Sequence, residues 1–542
     1  LDNLNTANNA DRLGDGAAIT MNGATLNFSH DGIVTSYSET AGVLSINAGP
    51  NTVQASQAAP GQTSALTFAS LSRTAGTKVN FSGTGLGVDT RNRILFATAP
   101  ALTNGILGTW ALINNNGWAT YDAALGVREL AAYTDVTRLT GNKVIADAPL
   151  AHVRIIEGTA AAASITLGSA VTTIHTLTQS TSGGATAATI DLAGSTLRLA
   201  AEGGILSQSG AGALTIGTGA TPGVLTAGGA DNTAGLLTVV NSSGNNLTVN
   251  AAIADNGAGV IGVRKEGTGN LVYAGTVANT HTGTTIVDVG NLYLNKTGVA
   301  AISGPVQMGG GNNSQPNLRM QQSGQFAPGV VMGFANASGN WARFDLAGTN
   351  QTLAGLNAGN VATQAGAIVQ NKGLDNVSPG NSILTLDGAG DYTYNGYIRD
   401  QDSGTGVTLA LIKAGSGTQT LAGAQILYTG GTTVNGGALV FATANVGRGA
   451  MTINNGGTLR LTGANAIDSL GAITLNAGGT MVDTISAHNI VQPFTLNGGT
   501  LSATVAGNAT YGNFVLGNNV TVGGTSTSVI SADLRVAAAA TR

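Results

Sequence analysis

The chain has 542 residues, a formal net charge of −4 and only 9% charged residues, against about 25% in an ordinary soluble domain, so it offers no basic track for nucleic acid. It contains no cysteine, which excludes disulfides, thiolate metal sites and cysteine nucleophiles. Its 82 glycines would suit a disordered linker, but 42% apolar residues indicate an ordered chain of short strands, and no apolar run is long enough for a transmembrane helix.

Residues 1–89 are predicted to form a β-helical segment. The stretch from Ile19 to Phe28 is typical: apolar and polar residues alternate on both sides of a turn at Asn22-Gly23, which indicates two short strands with one buried face. The chain begins at Leu1 without an initiating methionine or an apolar leader. We therefore interpret it as a processed or truncated piece of a longer chain.

Residues 90–137 differ from this pattern because charged and aromatic side chains are concentrated there. They are Arg91, Arg93, Trp110, Trp118, Tyr121, Arg128, Glu129 and Tyr133. One interpretation is a ligand-binding patch. The other is an enlarged coil or insertion with a small aromatic core of its own.

The strand pattern returns in residues 138–303, for example between Ile190 and Leu199, and predicts a second β-helical segment. Residues 304–330 are predicted to be a loop-rich break because prolines interrupt them. Residues 331–542 are predicted to form a third β-helical segment and carry the clearest repeats.

A turn cassette recurs in this last segment, with its glycines Gly436, Gly456, Gly478 and Gly498 separated by 20, 22 and 20 residues. Such a period is typical of a solenoid, in which successive coils stack and bury a shared apolar row. Aligning the coils predicts two apolar ladders, Val434-Ile453-Leu475-Leu496 and Leu439-Leu459-Met481-Leu501. It also predicts an amide ladder of Asn435, Asn455 and Asn497.

A longer duplication has an offset of about 147 residues. The segment from Val263 to Gly269 and the later His281-Thr282-Gly283-Thr284-Thr285 correspond to Leu411 to Gly417 and Tyr428-Thr429-Gly430-Gly431-Thr432. Larger modules therefore repeat as well as single coils.

The Lys413-Ala-Gly-Ser-Gly entry and the stretch from Tyr428 to Leu439 resemble the autotransporter-associated β-strand repeat, also called the passenger-associated transport repeat. Residues 12–23, and residues 92–96 with 110–133, are similar to other blocks of such proteins. The resemblance implies an all-β fold, a right-handed parallel β-helix (β-solenoid) with coils of about 20–22 residues and a few protruding loops. It also implies export from a bacterium to the cell surface or the extracellular space.

The earlier copy of the repeat differs from the family pattern at two positions. It has His281 in place of tyrosine and Val289 where a turn glycine is usual. We expect its coil to be distorted.

Residues suited to chemistry are sparse. Asp400 and Asp402 beside Arg399 could serve calcium binding or acid catalysis, or form a solvated turn; Asp387 and Asp391 allow the same alternatives. The five histidines, His30, His152, His175, His281 and His488, are far apart in sequence and are predicted to be surface or coil-packing residues. We predict no catalytic, cofactor-binding or metal-binding residues and no cofactor.

The leading interpretation is a non-enzymatic structural or adhesive surface protein, a stiff β-helical rod exported from a bacterium. Open sheet edges would allow copies to associate end to end into fibres, and surface polysaccharide or the surface of a host or neighbouring cell are the other expected partners. The alternative is a carbohydrate-active or carbohydrate-binding β-helix, suggested by Trp110, Trp118 and Tyr121. A passive spacer that displays another domain is a third possibility.

Overall fold

Short parallel strands account for nearly all of the regular structure. The structure, a computed structural model, describes residues 1–3, 11–30, 35–56, 61–138, 143–156, 164–182, 185–219, 221–309, 315–335, 341–358, 366–373, 379–401, 406–423, 425–444, 446, 448–467, 471–491 and 493–536. The chain forms two units. Unit 1 comprises Leu1–Leu292 and Gly309–Gln315, and unit 2 comprises Tyr293–Met308 and Pro316–Arg542.

The strands of unit 1 are β1 (Asp2–Asn3), β2 (Ile19–Asn22), β3 (Thr25–His30), β4 (Ser36–Ala41), β5 (Leu44–Ala48), β6 (Pro50–Ala55), β7 (Thr63–Phe68), β8 (Leu71–Arg73), β9 (Lys78–Ser82), β10 (Asn92–Phe96), β11 (Ala111–Ile113), β12 (Gly117–Asp122), β13 (Gly126–Glu129), β14 (Thr134–Thr137), β15 (Val144–Ile145), β16 (Ala148–Ile156), β17 (Ile165–Leu167), β18 (Val171–Gln179), β19 (Ala188–Asp191), β20 (Thr196–Ser207), β21 (Leu214–Ile216), β22 (Val224–Thr226), β23 (Gly235–Asn241), β24 (Leu247–Val249), β25 (Ala252–Ile253), β26 (Ile261–Glu266), β27 (Asn270–Gly275) and β28 (Thr285–Val287). Strand β29 (Gly290–Lys296) contains the boundary between the units.

Unit 1 contains two successive sets of stacked coils. In the first set the stacks are β1-β3-β6-β9-β11, β4-β7-β10 and β2-β5-β8; in the second they are β14-β16-β18-β20-β23-β26-β28 and β15-β17-β19-β21-β24-β27. Strands β11, β12 and β13 form an antiparallel meander. The coils here are longer than 22 residues in many places, since Thr25 pairs with Thr52 and Gly204 with Thr238.

The strands of unit 2 are β30 (Val306–Met308), β31 (Pro316–Met320), β32 (Val331–Phe334), β33 (Ala342–Asp345), β34 (Asn350–Leu353), β35 (Gly355–Asn357), β36 (Ala367–Gln370), β37 (Ser382–Leu386), β38 (Tyr392–Tyr394), β39 (Tyr397–Arg399), β40 (Leu409–Lys413), β41 (Thr418–Leu421), β42 (Thr432–Val434), β43 (Gly437–Phe441), β44 (Met451–Ile453), β45 (Gly457–Leu461), β46 (Ile473–Asn476), β47 (Thr480–Asp483), β48 (Asn489–Val491), β49 (Phe494–Asn497), β50 (Thr500–Ala503), β51 (Phe514–Leu516), β52 (Val520–Val522), β53 (Val529–Ser531) and β54 (Leu534–Val536).

The longest stacks of unit 2 are β34-β37-β40-β42-β44-β46-β49-β52 and β38-β41-β43-β45-β47-β50-β53. Their registers are those predicted from the turn cassettes. Val434 pairs with Ile453, Ile453 with Leu475 and Leu475 with Leu496. The second ladder pairs Leu439, Leu459, Met481 and Leu501 in the same way. Both ladders are buried, and the all-β parallel solenoid is confirmed.

The predicted amide ladder exists, but one of its members was wrong. Asn454 donates to Asn435 at 2.7 Å, Asn476 donates to Asn454 at 2.7 Å, and Asn497 donates to Asn476 at 3.2 Å. Asn455 is not in this chain of bonds because it lies in the turn, two residues beyond Ile453, the last residue of β44. The turn glycines Gly456, Gly478 and Gly498 all have φ near +80°, a conformation that a side chain would disfavour.

The two copies of the duplicated module make equivalent hydrogen bonds. The Lys265 ammonium donates to the carbonyls of Glu266, Gly267 and Val289 at 2.6–3.0 Å, and the Lys413 ammonium donates to the carbonyls of Gly415 and Gly436. A buried ammonium thus satisfies turn carbonyls of its own coil and the next one.

The histidine in the earlier copy does not disrupt this arrangement. Its Nε2 lies 2.9 Å from the Thr285 hydroxyl, whereas the Tyr428 hydroxyl lies 2.7 Å from the Thr432 hydroxyl. The valine at position 289 does not remove a hydrogen bond either, because Lys265 donates to the backbone carbonyl of Val289. The distortion expected from the sequence is therefore absent from these contacts.

Candidate functional site

The meander at residues 111–129 places the aromatic residues that stood out in the sequence. Its first turn contains Asn114 and Asn115, both at φ near +50°, a conformation that asparagine tolerates better than most residues. This turn bonds to both sets of coils: the Asn115 amide donates to Asn80 Oδ1 at 2.7 Å, and Asn116 Oδ1 accepts from the Ser209 amide at 2.6 Å.

Two of the three aromatic residues that suggested carbohydrate binding have structural roles. Trp118 is fully buried and its Nε1 donates to the Thr178 hydroxyl at 3.1 Å. The Tyr121 hydroxyl bonds to the backbone amide and carbonyl of Phe96 at 3.0 and 2.9 Å. Trp110 is only partly buried, with the Arg73 guanidinium 4.6 Å from its ring centroid.

Trp110 lines a cavity of about 570 Å³ within unit 1, which is in the size range of small-molecule sites. The cavity lies between the first set of coils, the Asn114–Asn116 turn and strands β23 and β26 of the second set. Its walls include Lys78, Asn80, Asn115, Glu266 and Thr268.

A buried cluster of four charges lies at this cavity. Lys78 Nζ is 3.3 Å from both Glu266 Oε2 and Asp288 Oδ2, and Arg264 Nε is 3.2 Å from Asp288 Oδ2. Each of the four residues is at least nine-tenths buried. Two cations and two anions balance, which offsets part of the cost of burying them.

The side chain of Lys265, the residue between Arg264 and Glu266, has a shifted pKa. Burial lowers the pKa of Lys265 to about 7, and the nearby Glu266 carboxylate partly counteracts this shift. Its three carbonyl contacts explain why a buried amine is tolerated.

Sequence reasoning did not identify Lys78, Glu266 or Asp288. The available signal was a difference between the two copies of the module, since Arg264 and Glu266 replace Ile412 and Ala414 of the later copy. An added pair of charges in an otherwise apolar and weakly charged coil indicates a local partner.

Asp400 caps a turn of its coil. Its Oδ1 accepts the amides of Leu409 and Thr429 at 2.7 and 3.0 Å, and its Oδ2 accepts the Thr429 hydroxyl at 2.7 Å. Asp255 makes the same three bonds in the earlier module, to Ile261 and Thr282. Asp402 lies outside the described residues.

The other acidic pair has separate surroundings. Asp391 accepts the Thr418 amide at 2.8 Å, and this bond lowers the pKa of its carboxyl group. Asp387 is exposed.

Replacing Asp400 by alanine should lower the free energy of unfolding of unit 2 by about 1–3 kcal/mol, because two amides and a hydroxyl lose their acceptor. Urea denaturation followed by circular dichroism measures this. Asp387→Ala is the matched control, since that exposed carboxylate accepts none of these bonds, and it should change stability by less than about 0.5 kcal/mol. Equal effects of the two substitutions would refute the capping role.

The histidines have separate packing roles with one exception. His30 stacks on Tyr37 with ring centroids 4.2 Å apart, and His488 lies 4.5 Å from Tyr511. His152 and His175, distant in sequence, meet edge to face at 4.9 Å because β16 and β18 are adjacent strands. His152 bonds to the Asn104 carbonyl and the Thr176 hydroxyl, both at 2.8 Å.

Unit 1 should lose stability as the pH falls from about 6.5 toward 4. Burial, with a smaller contribution from His152, lowers the pKa of His175 to about 4, and burial also lowers the pKa of His152. The unfolded chain therefore binds more protons than the folded one in this window, so the free energy of unfolding rises with pH, by about 2 kcal/mol in total.

Urea denaturation at several pH values checks this, with Trp341→Phe as the background so that tryptophan fluorescence reports on unit 1. The double variant His152→Asn/His175→Asn should lose most of the slope whatever its absolute stability. An unchanged slope in that variant would assign the pH dependence to other groups.

No group of three or more His, Cys, Asp or Glu side chains that could hold a metal ion occurs within the described part of the chain. In the same residues no helix has the length and apolar character needed to cross a membrane.

Comparison with known proteins gives two matches. Residues 411–441 match the family described as Passenger-associated-transport-repeat. The protein is also similar to the adhesin BmaC autotransporter of Brucella suis biovar 1 (strain 1330), with 29% identity over 240 residues. That alignment covers 39% of this chain and only 6% of the adhesin.

No solved structure matches the chain significantly. The family match falls on strands β40 to β43, where Lys413, Tyr428 and Thr432 make the contacts described above. Such repeats imply a secreted or surface-exposed protein. The chain thus carries a passenger-associated transport repeat at residues 411–441 within an autotransporter-passenger-like β-solenoid.

Proposed function

We propose that this protein is a non-enzymatic adhesin of a bacterial cell surface, whose exported solenoid acts by presenting its outer surface to polysaccharide or to another cell. The observation that carries the proposal is the passenger-type repeat at residues 411–441, together with the distant similarity to an adhesin. The local geometry supports it, because Asp400, Trp118 and Tyr121, the strongest candidates for chemistry, are engaged in structural hydrogen bonds.

Adhesion can be measured with beads coated with the purified chain and applied to epithelial monolayers and to bacterial cells that bear surface polysaccharide. Coated beads should be retained on at least one of these surfaces, and soluble protein should compete with them. Beads coated with chain that has been irreversibly heat-denatured control for nonspecific hydrophobic retention. Retention no greater than that of the denatured control on every surface would refute adhesion.

Two assays on a panel of polysaccharides distinguish a carbohydrate-active enzyme from an adhesin. One measures reducing sugars and the other measures unsaturated products. No turnover is expected. Turnover that Asp400→Ala abolishes in protein that remains folded would replace the adhesin proposal with an enzymatic one.

Self-association belongs to the same proposal. Among the described residues, β52 and β53 are the last strands of their stacks and carry exposed Val522, Val529 and Ile530. A strand edge that is unpaired in the purified chain can accept a strand of another copy. Electron microscopy of the purified chain should show rods or end-to-end fibres. Uniformly compact particles would exclude both.

A further inference from the structure

We propose that the cavity of unit 1 is a binding site for a small neutral saccharide, recognised by Glu266 and Lys78 on one wall and by the Asn114–Asn116 turn on another. The proposal goes beyond adhesion and does not depend on it, because it rests on the geometry of one cavity. The cavity has a volume of about 570 Å³ and combines amide and hydroxyl groups with apolar and aromatic surface. That combination is typical of small-molecule sites.

The strongest indication of a ligand is an unsatisfied oxygen. Glu266 is 5% exposed and lines the cavity. Its Oε2 faces the Lys78 ammonium at 3.3 Å, whereas Oε1 has no hydrogen-bond partner among the described residues. A buried carboxylate oxygen without a donor is costly. Because this oxygen is not exposed in the structure, a ligand hydroxyl would bond to it after a small rotation of the Glu266 carboxylate toward the cavity, and that bond would remove the cost.

The solenoid itself does not require this glutamate. The duplicated module has Ala414 at the corresponding position, and Lys413 still makes the turn bonds that Lys265 makes beside Glu266. The backbone turn is therefore formed with or without the carboxylate. Glu266 differs from its counterpart in facing the cavity and Lys78, which accounts for a charge at this point of the coil.

The charge balance favours a neutral ligand. Lys78 and Arg264 compensate Glu266 and Asp288, and burial lowers the pKa of the adjacent Lys265 to about 7. Above that pH the wall therefore presents hydrogen-bonding groups without excess charge. A ligand with its own charge would leave one buried ion uncompensated. Hydroxyl groups, by contrast, both donate and accept, and can bond to Glu266 Oε1 and to the amides of the turn in the same complex.

The opposite wall provides positioned polar groups and an aromatic surface. Asn115 is exposed and lines the cavity, and its backbone is held by the bond to Asn80. Trp110 also lines the cavity. Apolar C–H surfaces beside several hydroxyls are the chemistry of a sugar ring, which fits this combination.

Binding is tested by saturation-transfer NMR with a panel of free neutral sugars: glucose, galactose, mannose, N-acetylglucosamine, maltose and lactose. N-Acetylneuraminic acid and glucuronic acid are the charged comparison. At least one neutral sugar should receive saturation and give a measurable Kd by titration, and the charged sugars should bind more weakly. The proposal would be overturned if none of the neutral sugars received saturation, or if the two acidic sugars bound more tightly than the neutral ones.

Substitutions at Thr268 test whether the sugar binds in this cavity. Thr268 is exposed, lines the cavity and corresponds to the exposed Ser416 of the later module. Thr268→Trp should fill part of the cavity and weaken the bound sugar at least about tenfold, and Ser416→Trp should leave the Kd unchanged. Glu266→Ala, which restores the residue of the later module, should also weaken binding about tenfold or more.

Circular dichroism of each variant verifies the fold. Sugar binding that survives both Thr268→Trp and Glu266→Ala would place the sugar elsewhere. Adhesion is read separately in the bead assay, so a protein that adheres but binds no sugar refutes this site alone, and one that binds sugar without adhering refutes only the adhesive function.

Discussion

Replacing Leu475 by aspartate is expected to abolish cooperative folding of the C-terminal coils of unit 2. Leu475 is fully buried and lies in register between Ile453 and Leu496. The substitution removes about 2 kcal/mol of apolar burial and introduces a carboxylate without a partner, for a total on the order of 5 kcal/mol. In a solenoid each coil is stabilised mainly by its neighbours, so the loss spreads along the stack.

Thr474→Asp is the matched control, because Thr474 is the preceding residue of the same strand and its side chain points to the opposite face. It should shift the urea midpoint only slightly. Far-UV circular dichroism and limited proteolysis with mass spectrometry follow the two variants, and cleavage of Leu475→Asp should map to the coils from β44 to β49. Native protease resistance in those coils would contradict the shared apolar ladder.

The sequence predicted this part of the fold well, because two periods coincide there. Alternation of apolar and polar residues determines which side of each strand is buried, and the recurring turn determines which residues are stacked. Val434, Ile453, Leu475 and Leu496 satisfy both, so their register could be predicted one coil at a time. In unit 1 the turns vary in length, as the step from Gly204 to Thr238 shows, and the same alignment is not available.

Two predictions were wrong in detail because the role of a residue was inferred from its amino-acid type at an aligned position. Asn455 was aligned with Asn435 through the cassette, whereas the bond is made by Asn454, the residue directly after strand β44. His281 was expected to distort its coil because the family has tyrosine there. The imidazole and the phenol nevertheless each reach the hydroxyl of the equivalent threonine, four residues further along the chain: Thr285 for His281 and Thr432 for Tyr428.

The candidate site could not be predicted because its parts are far apart in sequence. Lys78 meets Glu266 and Asp288 only because the second set of coils of unit 1 lies next to the first. The spacing of residues within one coil therefore cannot predict that these side chains are in contact. The comparison of Glu266 with Ala414 could have identified one member, since a charge that appears in only one of two copies needs a compensating partner.

Replacing Trp118 by alanine should cost unit 1 about 3–5 kcal/mol, because it empties a large volume in a packed core and leaves the Thr178 hydroxyl without its donor. Trp118 is fully buried against Ile106, Leu206 and Val240, and its ring lies so close to Gly204 that a β-carbon there would meet it at 2.6 Å. This core joins the meander to β20 and β23. Its loss should therefore detach the meander from the second set of coils.

Urea denaturation followed by circular dichroism measures the cost, and hydrogen exchange should show lost protection at β11 to β13. Trp341→Ala is the control, since that tryptophan is 50% exposed and its removal should cost less than about 1 kcal/mol. A small effect of Trp118→Ala would mean that the ring does not hold the meander and would restore it as a candidate for ligand contact. Of the three aromatic residues that suggested carbohydrate binding, a large effect leaves Trp110, which lines the cavity, as the candidate for ligand contact, because the Tyr121 hydroxyl is already bonded to Phe96.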